Sequence, residues 1–251
     1  MFNALTHHQS ANFDEQINQL AQLISNSHHT IALTGAGISV ASDIPDLEQL
    51  SGGTTGSLSS ESYLEAHPDD FYRQFHQLFI DPIFNVGPTA AHKVLAQLEH
   101  HQLLDGVITT NVDYLHERAG SHNTANIWSS LNINHCVQCG RIYPLEILRE
   151  PVPHCPNCGG LISPDPIFRN IATVPAERER ADLWTNTADL VLVTGANGYY
   201  DHVESRSTLV DINPAQTEFD DRATLVIRAT ADKTFVALAD KLNLPIMTVT
   251  N

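Results

Sequence analysis

Apolar positions along this chain follow two rhythms. Phe13, Ile17, Leu20 and Ile24 recur at helical spacing, which predicts an amphipathic helix over Phe13 to Ser25. Thr30-Ile31-Ala32-Leu33 is instead a continuous apolar run, the pattern of a parallel strand buried on both faces. Similar runs return at Gly106-Val107-Ile108-Thr109, from Asp189 to Gly195, from Ser207 to Ile212 and at Leu225-Val226-Ile227-Arg228. Helical patterns lie between them. Thr89 to Leu98 places Ala91, Val94, Leu95 and Leu98 on one side, and Phe235 to Leu242 repeats the spacing with Phe235, Leu238, Ala239 and Leu242. Tyr63 to Phe84 adds a helical stretch whose Phe71, Tyr72, Phe75 and Phe79 form a core face. Alternating strands and helices predict an α/β fold, a doubly wound, Rossmann-like parallel sheet.

Composition narrows the function classes. At 251 residues the chain accommodates a large domain carrying a small one. A formal net charge of −16 argues against a nucleic-acid surface or an anionic membrane surface, because phosphates must be met by clustered Lys and Arg. Met1 to His8 has neither the basic nor the apolar region of a secretion signal, and no apolar run approaches the ~20 residues of a membrane span. The expected location is cytoplasmic. All four cysteines lie in two pairs, Cys136-x-x-Cys139 and Cys155-x-x-Cys158, fifteen residues apart, with Gly140 after the first and Gly159-Gly160 after the second. This is the pattern of a zinc ribbon, in which four thiolates close a tetrahedron and leave no position for water, so the expected Zn2+ is structural. A reduced, metal-free quartet is the alternative. His135 and His154 adjoin the cysteines but are not needed to fill the site.

Gly35 and Gly37 follow the first strand at once. Glycines there would let the backbone turn and approach a pyrophosphate, with the N–H groups of a following helix meeting its charge. An ordinary strand-to-helix turn has the same residues, and the third glycine of the dinucleotide fingerprint is missing. Asn111 and Asp113 follow the second strand, where doubly wound folds place ligands, although both residue types also favour caps and turns. Leu50 to Ser57 is small and glycine-rich, either a loop that orders over a ligand or a plain linker.

Four separated stretches together carry a resemblance. The run TGAGISVASDIPDL is similar to the sirtuin signature GAGxSxxSGIPDFR, and Thr109 to His116 with Ala119-Gly120 looks like the sirtuin TQNIDxLHxxAG. The cysteine pairs follow, and Val210-Asp211-Ile212-Asn213-Pro214 resembles the late cofactor-binding strand of that family. Order and spacing agree over nearly the whole chain. The resemblance implies an NAD-binding Rossmann-like domain over 1–50, 86–130 and 171–251, with an inserted small domain, helices plus zinc ribbon, over 51–85 and 131–170. It implies that Gly35, Ala36, Gly37, Ser39, Pro45, Asp46, Asn111, Asp113, Gly195, Ala196, Asn197 and Asn213 bind NAD. Residues 50–57 would be the cofactor-binding loop. Asn111 would orient a ribose hydroxyl or water, Asp113 would hold the nicotinamide amide, and the partner would be a protein substrate or partner protein.

The departures bear on chemistry. A histidine that serves sirtuins as general base begins their HGS segment; here Trp128 stands in its place and Ser129 in that of the glycine. An indole N–H only donates, so a proton-transfer step worth about 10²–10⁴-fold loses its agent. The nearest histidines, His122 and His135, are not at that position, and His116 belongs to the second motif. The arginine ending PDFR is Glu48, its phenylalanine Leu47 and the glycine before it Asp43. Like charges ~4 Å apart repel by about 4 kcal/mol at an effective dielectric of ~20, near a thousandfold in affinity, unless Glu48 turns to water. Thr110 replaces the glutamine of TQN, Gly195-Ala196-Asn197 replaces GTS, and Phe168-Arg169-Asn170 replaces the peptide-binding FGE. The expectation is a divergent sirtuin that binds NAD and cleaves it by ADP-ribosyl transfer or hydrolysis, releasing nicotinamide. Two alternatives stand beside it: a non-catalytic NAD or ADP-ribose binder, and a protein-lysine deacylase with a substitute base.

Overall fold

The computed structural model describes residues 12–45, 58–168, 173–198 and 206–246. Asp46, Leu47, Glu48, the loop 50–57, Arg169 and Asn170 lie outside these residues. Helix α1 (Phe13–Asn26) starts on Asn12, whose side chain and that of Glu15 form a reciprocal cap. Strand β1 (Thr30–Thr34) follows, buried at every position. It leads into two short 3₁₀ turns, Ala36–Ile38 and Val40–Ser42. Next come α2 (Glu61–Ala66), α3 (Pro68–Phe75), two wide π turns (His76–Ile80 and Pro82–Val86) and α4 (Ala90–His100), capped by Thr89. The chain then returns to the sheet through β2 (Gly106–Thr109), a single turn α5 (Leu115–Arg118) and β3 (Thr124–Asn126).

A small antiparallel sheet is built from β4 (Asn134–Cys136), β5 (Ile142–Tyr143) and β6 (Ile162–Ser163), in the order β5-β4-β6. Helix α6 (Pro175–Thr187), strands β7 (Leu190–Thr194), β8 (Thr208–Ile212) and β9 (Leu225–Ile227), and helix α7 (Ala231–Leu242) complete the fold. The main sheet has the order β3-β2-β1-β7-β8-β9, and every pairing in it is parallel. From β1 the chain goes outward on one side, then returns and goes outward on the other. The carboxyl ends of β1 and β7 therefore meet at a topological switch point, the ligand position expected of doubly wound folds.

Alternate residues of the strands feed opposite faces. Ala32, Val107, Leu192 and Val210 pack against Leu20, Leu95 and Phe235 of α1, α4 and α7. Ile31, Leu33, Ile108 and Val193 pack on the other side with Ala181 of α6. A third cluster joins Phe71, Phe75 and Phe79 to Leu131, Leu145, Ile162 and Phe168 around the small sheet. Among the described residues, no helix is long and apolar enough to cross a membrane.

Three elements differ from the sequence reading. The stretch from Tyr63 to Phe84 is divided, because Pro68 opens a new helix after His67 and the turns around Pro82 widen before Gly87 at φ +74°. Helix α6 and strand β3 were not among the predicted elements. Of the thirteen residues of α6 only Ala181 and Thr185 are buried, so it has almost no apolar stripe to read. With three residues, β3 is too short to show a period.

Candidate functional site

At the carboxyl ends of β1 and β7 the backbone loops nearly touch. A Cβ on Gly35 would stand 2.8 Å from Ala196 Cα and from the Gly195 carbonyl, and one on Gly37 only 2.7 Å from Gly195 Cα. Gly195 itself sits at φ +60°. The Gly37 N–H donates to Gly195 O at 2.9 Å and the Gly35 N–H to Thr194 O at 3.1 Å. The glycines thus lock two loops together, and no long helix follows them. Gly35 and Gly37 both lie outside the positive-φ region. Here they allow close approach of backbone to backbone, and the turn that Gly35 opens into is 3₁₀. Ile38 and Ser39 N–H groups close the first 3₁₀ turn. The N–H of Ala36 has no acceptor among the described residues.

Beside this lock the two motifs meet. Ser39 Oγ donates to Asp113 Oδ2 at 2.6 Å and accepts from Asn111 Nδ2 at 3.2 Å, while the same amide also donates to Gly35 O at 3.2 Å. Asp113 Oδ1 accepts the Leu115 N–H, the first of α5, at 3.0 Å. Ser39, Asn111 and Asp113 are all buried. Burial pushes the Asp113 carboxyl above its ordinary pKa, against the hydrogen bonds from Ser39 and Leu115. Thr110 Oγ1 donates to Thr34 O at 3.3 Å, so the residue in place of the glutamine braces β1. Behind it, Thr34 Oγ1 is 2.9 Å from His116 Nε2, and the His116 ring lies 4.6 Å from that of His92. Both imidazoles are buried and held neutral, with the His116 pKa pushed down to about 3. His116 is therefore a structural brace under the site.

Trp128 follows β3 and is half-buried. It is packed against both the small-sheet cluster and the main-sheet cluster that contains Ile31 and Ile108. Ser129 adopts φ +70° and Asp43 φ +61°. These are the two positions at which glycines were expected from the resemblance, and the backbone keeps the left-handed conformation that glycine adopts freely. Pro45 is half-buried at the end of the first described segment, and Phe168 is buried in the small-sheet cluster.

On the β8 side of the switch point, Asn213 Nδ2 donates to Ala196 O at 3.4 Å and Asn213 Oδ1 accepts the Ala215 N–H at 3.1 Å. Asn197 Oδ1 accepts the Glu218 N–H at 3.4 Å. The structure adds two residues that sequence reasoning missed. Arg228, just after β9, donates from Nη1 to the carbonyls of Asn213 (3.3 Å) and Ala215 (2.9 Å) and pairs through Nη2 with Asp220. Asp211 of β8 is fully buried beneath it. An arginine closing an apolar run reads in sequence only as the end of a strand.

The four cysteine sulfurs lie within 4.8 Å of one another, Cys136 to Cys158 at 3.5 Å and Cys139 to Cys155 at 3.7 Å. A tetrahedral zinc with ~2.3 Å Zn–S bonds has sulfurs about 3.8 Å apart, so the quartet fits one closed ion. Gly140 and Gly159 turn each knuckle at positive φ, and a Cβ on Gly160 would stand 2.8 Å from Cys136 Sγ. His135 pairs with Asp165, and His154 Nδ1 reaches Gly159 O at 3.1 Å, so both histidines have partners other than a metal.

A model of the Sir2 family matches residues 35–199. The NAD-dependent protein deacetylase of Clostridium perfringens is 31% identical, over 90% of this chain and 100% of that protein. NAD-dependent protein deacetylase 1 of Pyrobaculum aerophilum is 34% identical, over 91% of this chain and 95% of its own. A solved structure of Sir2 with a p53 peptide and NAD+ superposes with a TM-score of 0.75 at 30% identity, covering 90% of this chain and 98% of the other.

Proposed function

This chain belongs to the Sir2 family, and from that premise we propose that it binds NAD at the switch point of β1 and β7 and breaks it by ADP-ribosyl transfer or hydrolysis. The observation that carries this reading is the buried Ser39–Asn111–Asp113 network, in a chain that has Trp128 where the resemblance places the family's base. The residues fit the ligand on two counts: the Ala36 N–H has no acceptor among the described residues at the switch point, and Asn111 and Asp113 are buried polar groups at the end of β2. NAD when bound supplies an ADP-ribosyl group with nicotinamide as the leaving group. Asp113, its carboxylate oriented by Ser39 and the Leu115 N–H, holds the nicotinamide amide. Asn111, anchored on Gly35 O, orients a ribose hydroxyl or the incoming water. In this reading Gly35, Ala36, Gly37, Ser39 and Pro45 serve one half of the site, and Gly195, Ala196, Asn197 and Asn213 the other; Asp46, which lies outside the described residues, is assigned to NAD by the resemblance alone. Trp128 accepts no proton, so the proton of the attacking group passes to solvent. Bound NAD would supply a ribose–nicotinamide bond whose electron pair leaves on nicotinamide, with a bond to water or to an acceptor on a protein substrate formed in its place and that acceptor's proton released to solvent.

The NAD-binding module in this reading spans 1–50, 86–130 and 171–251, and the small module 51–85 and 131–170. Calorimetric titration of the zinc-loaded protein with NAD, and separately with ADP-ribose, tests it. Micromolar binding of both with nicotinamide appearing in the NAD sample supports cleavage. Binding without nicotinamide makes the chain a non-catalytic binder, and no binding at millimolar ligand refutes the proposal. Replacing Asn111 by Ala abolishes turnover. Lysine deacylation is the competing reading, favoured by the deacetylase relatives and opposed by Trp128.

A further inference from the structure

A dinucleotide that crosses a switch point places its two halves on opposite sides of it. With the nicotinamide half at Asn111 and Asp113 beyond β2, and the pyrophosphate over β1 and β7, the adenosine half lies over the turn that follows β8. That turn, Asn213 to Thr217, has few contacts of its own: Pro214, Ala215 and Gln216 are exposed. Asn213 uses its side chain to tie the turn to Ala196 and to the Ala215 N–H. The carbonyls of Asn213 and Ala215 are both taken by one nitrogen of Arg228, whose other terminal nitrogen is held by Asp220. Underneath, Asp211 Oδ2 accepts from Thr217 Oγ1 at 2.6 Å and lies 3.7 Å from Arg228 Nη1. Asp211 Oδ1 is buried with no hydrogen-bond partner among the described residues.

A buried carboxylate with an unpartnered oxygen is unfavourable, and shape alone could be supplied by Asn. What Asp211 adds is a carboxyl group, its pKa raised to about 6 by burial and by the neighbouring Asp220, beneath a guanidinium whose fork is committed to two backbone carbonyls and Asp220. From this arrangement we infer that Arg228, seated over Asp211, is a positioning residue that holds the Asn213–Thr217 turn as the floor of an adenosine subsite. The inference rests on the NAD-binding reading above and says which residues outside the ligand's reach preserve its affinity.

The test is titration of the full zinc-loaded chain with ADP-ribose, AMP and nicotinamide mononucleotide, in the native protein, in Arg228→Lys and in the double variant Asp211→Asn/Arg228→Gln. The double variant removes both charges together, so no buried carboxylate is left without its counter-ion. The double variant weakens ADP-ribose and AMP by the same factor, about tenfold or more, and leaves nicotinamide mononucleotide within about twofold, while Arg228→Lys recovers part of the loss. Amide hydrogen exchange of residues 213–217 without ligand rises in the double variant. Equal loss for all three ligands, or unchanged ADP-ribose and AMP binding, overturns the inference. If the native protein binds none of the three, the NAD reading falls and this inference with it; if it binds them and the double variant binds equally well, only the inference falls.

Discussion

Replacing Gly37 by Ala separates a glycine that serves the fold from one that serves a ligand. The added Cβ would stand 2.7 Å from Gly195 Cα and 3.0 Å from its carbonyl oxygen, where ordinary contact begins at 3.4 Å. Both obstacles are backbone, so no side chain can rotate away. Relief requires the β1 and β7 loops to part by about 0.7 Å, which stretches the 2.9 Å hydrogen bond from Gly37 N to Gly195 O to about 3.6 Å and breaks it. Overpacking of this kind costs about 1–3 kcal/mol and the lost hydrogen bond about 1 kcal/mol more. The sum, about 2–4 kcal/mol, lowers the thermal midpoint by roughly 4–16 °C for a chain of this size. The assay is thermal unfolding of the zinc-loaded protein without nucleotide, followed by circular dichroism. A midpoint within about 1 °C of the native protein would refute the interlock and return these glycines to a role in ligand approach alone.

Four further outcomes follow from the geometry. Asp43→Gly and Ser129→Gly, each relieving a left-handed side-chain-bearing residue, raise stability by about 0.5–1 kcal/mol, read as a later urea midpoint with an unchanged slope. Cys139→Ser, or stripping zinc with a chelator, lowers the thermal midpoint by roughly 10 °C or more and is checked against metal content by colorimetric zinc assay. His116 is neutral in the fold with a pKa of about 3, against 6.5 when exposed, so unfolding takes up a proton between those values. Its stabilisation is complete above pH 6.5 and is lost as pH falls toward 3, with a slope of up to about 1.4 kcal/mol per pH unit that urea titrations at stepped pH measure and His116→Asn removes. Trp128→His puts an imidazole at the position where the resemblance places the family's base and yields deacylation of an acetyl-lysine peptide with NAD; absence of product while NAD still binds would show that the loss of the base is not the only change in the chemistry.

How much of this was legible depended on where the determining contact lies in the chain. Strands β1, β2, β7, β8 and β9 could be read because burial on both faces leaves an unbroken apolar run. The zinc quartet could be read because its ligands carry their geometry in their spacing. Helix α6 could not, since its polar residues contribute little to any stripe and its Trp184 packs against Gly106, a contact no local pattern encodes. The substitutions at Trp128, Ser129 and Asp43 were visible, yet that the last two retain a glycine-like backbone is known only from φ. Gly37 and Gly195 are partners across the sheet, so the purpose of either is hidden until both strands are placed side by side. Arg228 and Asp211 likewise become a pair only through the β8–β9 register.

The neighbour relations of β1 also impose a schedule on the growing chain. On one side β1 pairs with β2, but on the other its Thr30 faces Leu190 of β7, so the centre of the sheet stays open until almost the whole molecule has left the ribosome. The four thiolates, from Cys136 to Cys158, are complete well before that. All four metal ligands are therefore synthesised before the strand that closes the sheet, and until β7 emerges one edge of β1 stays without a partner and open to other chains.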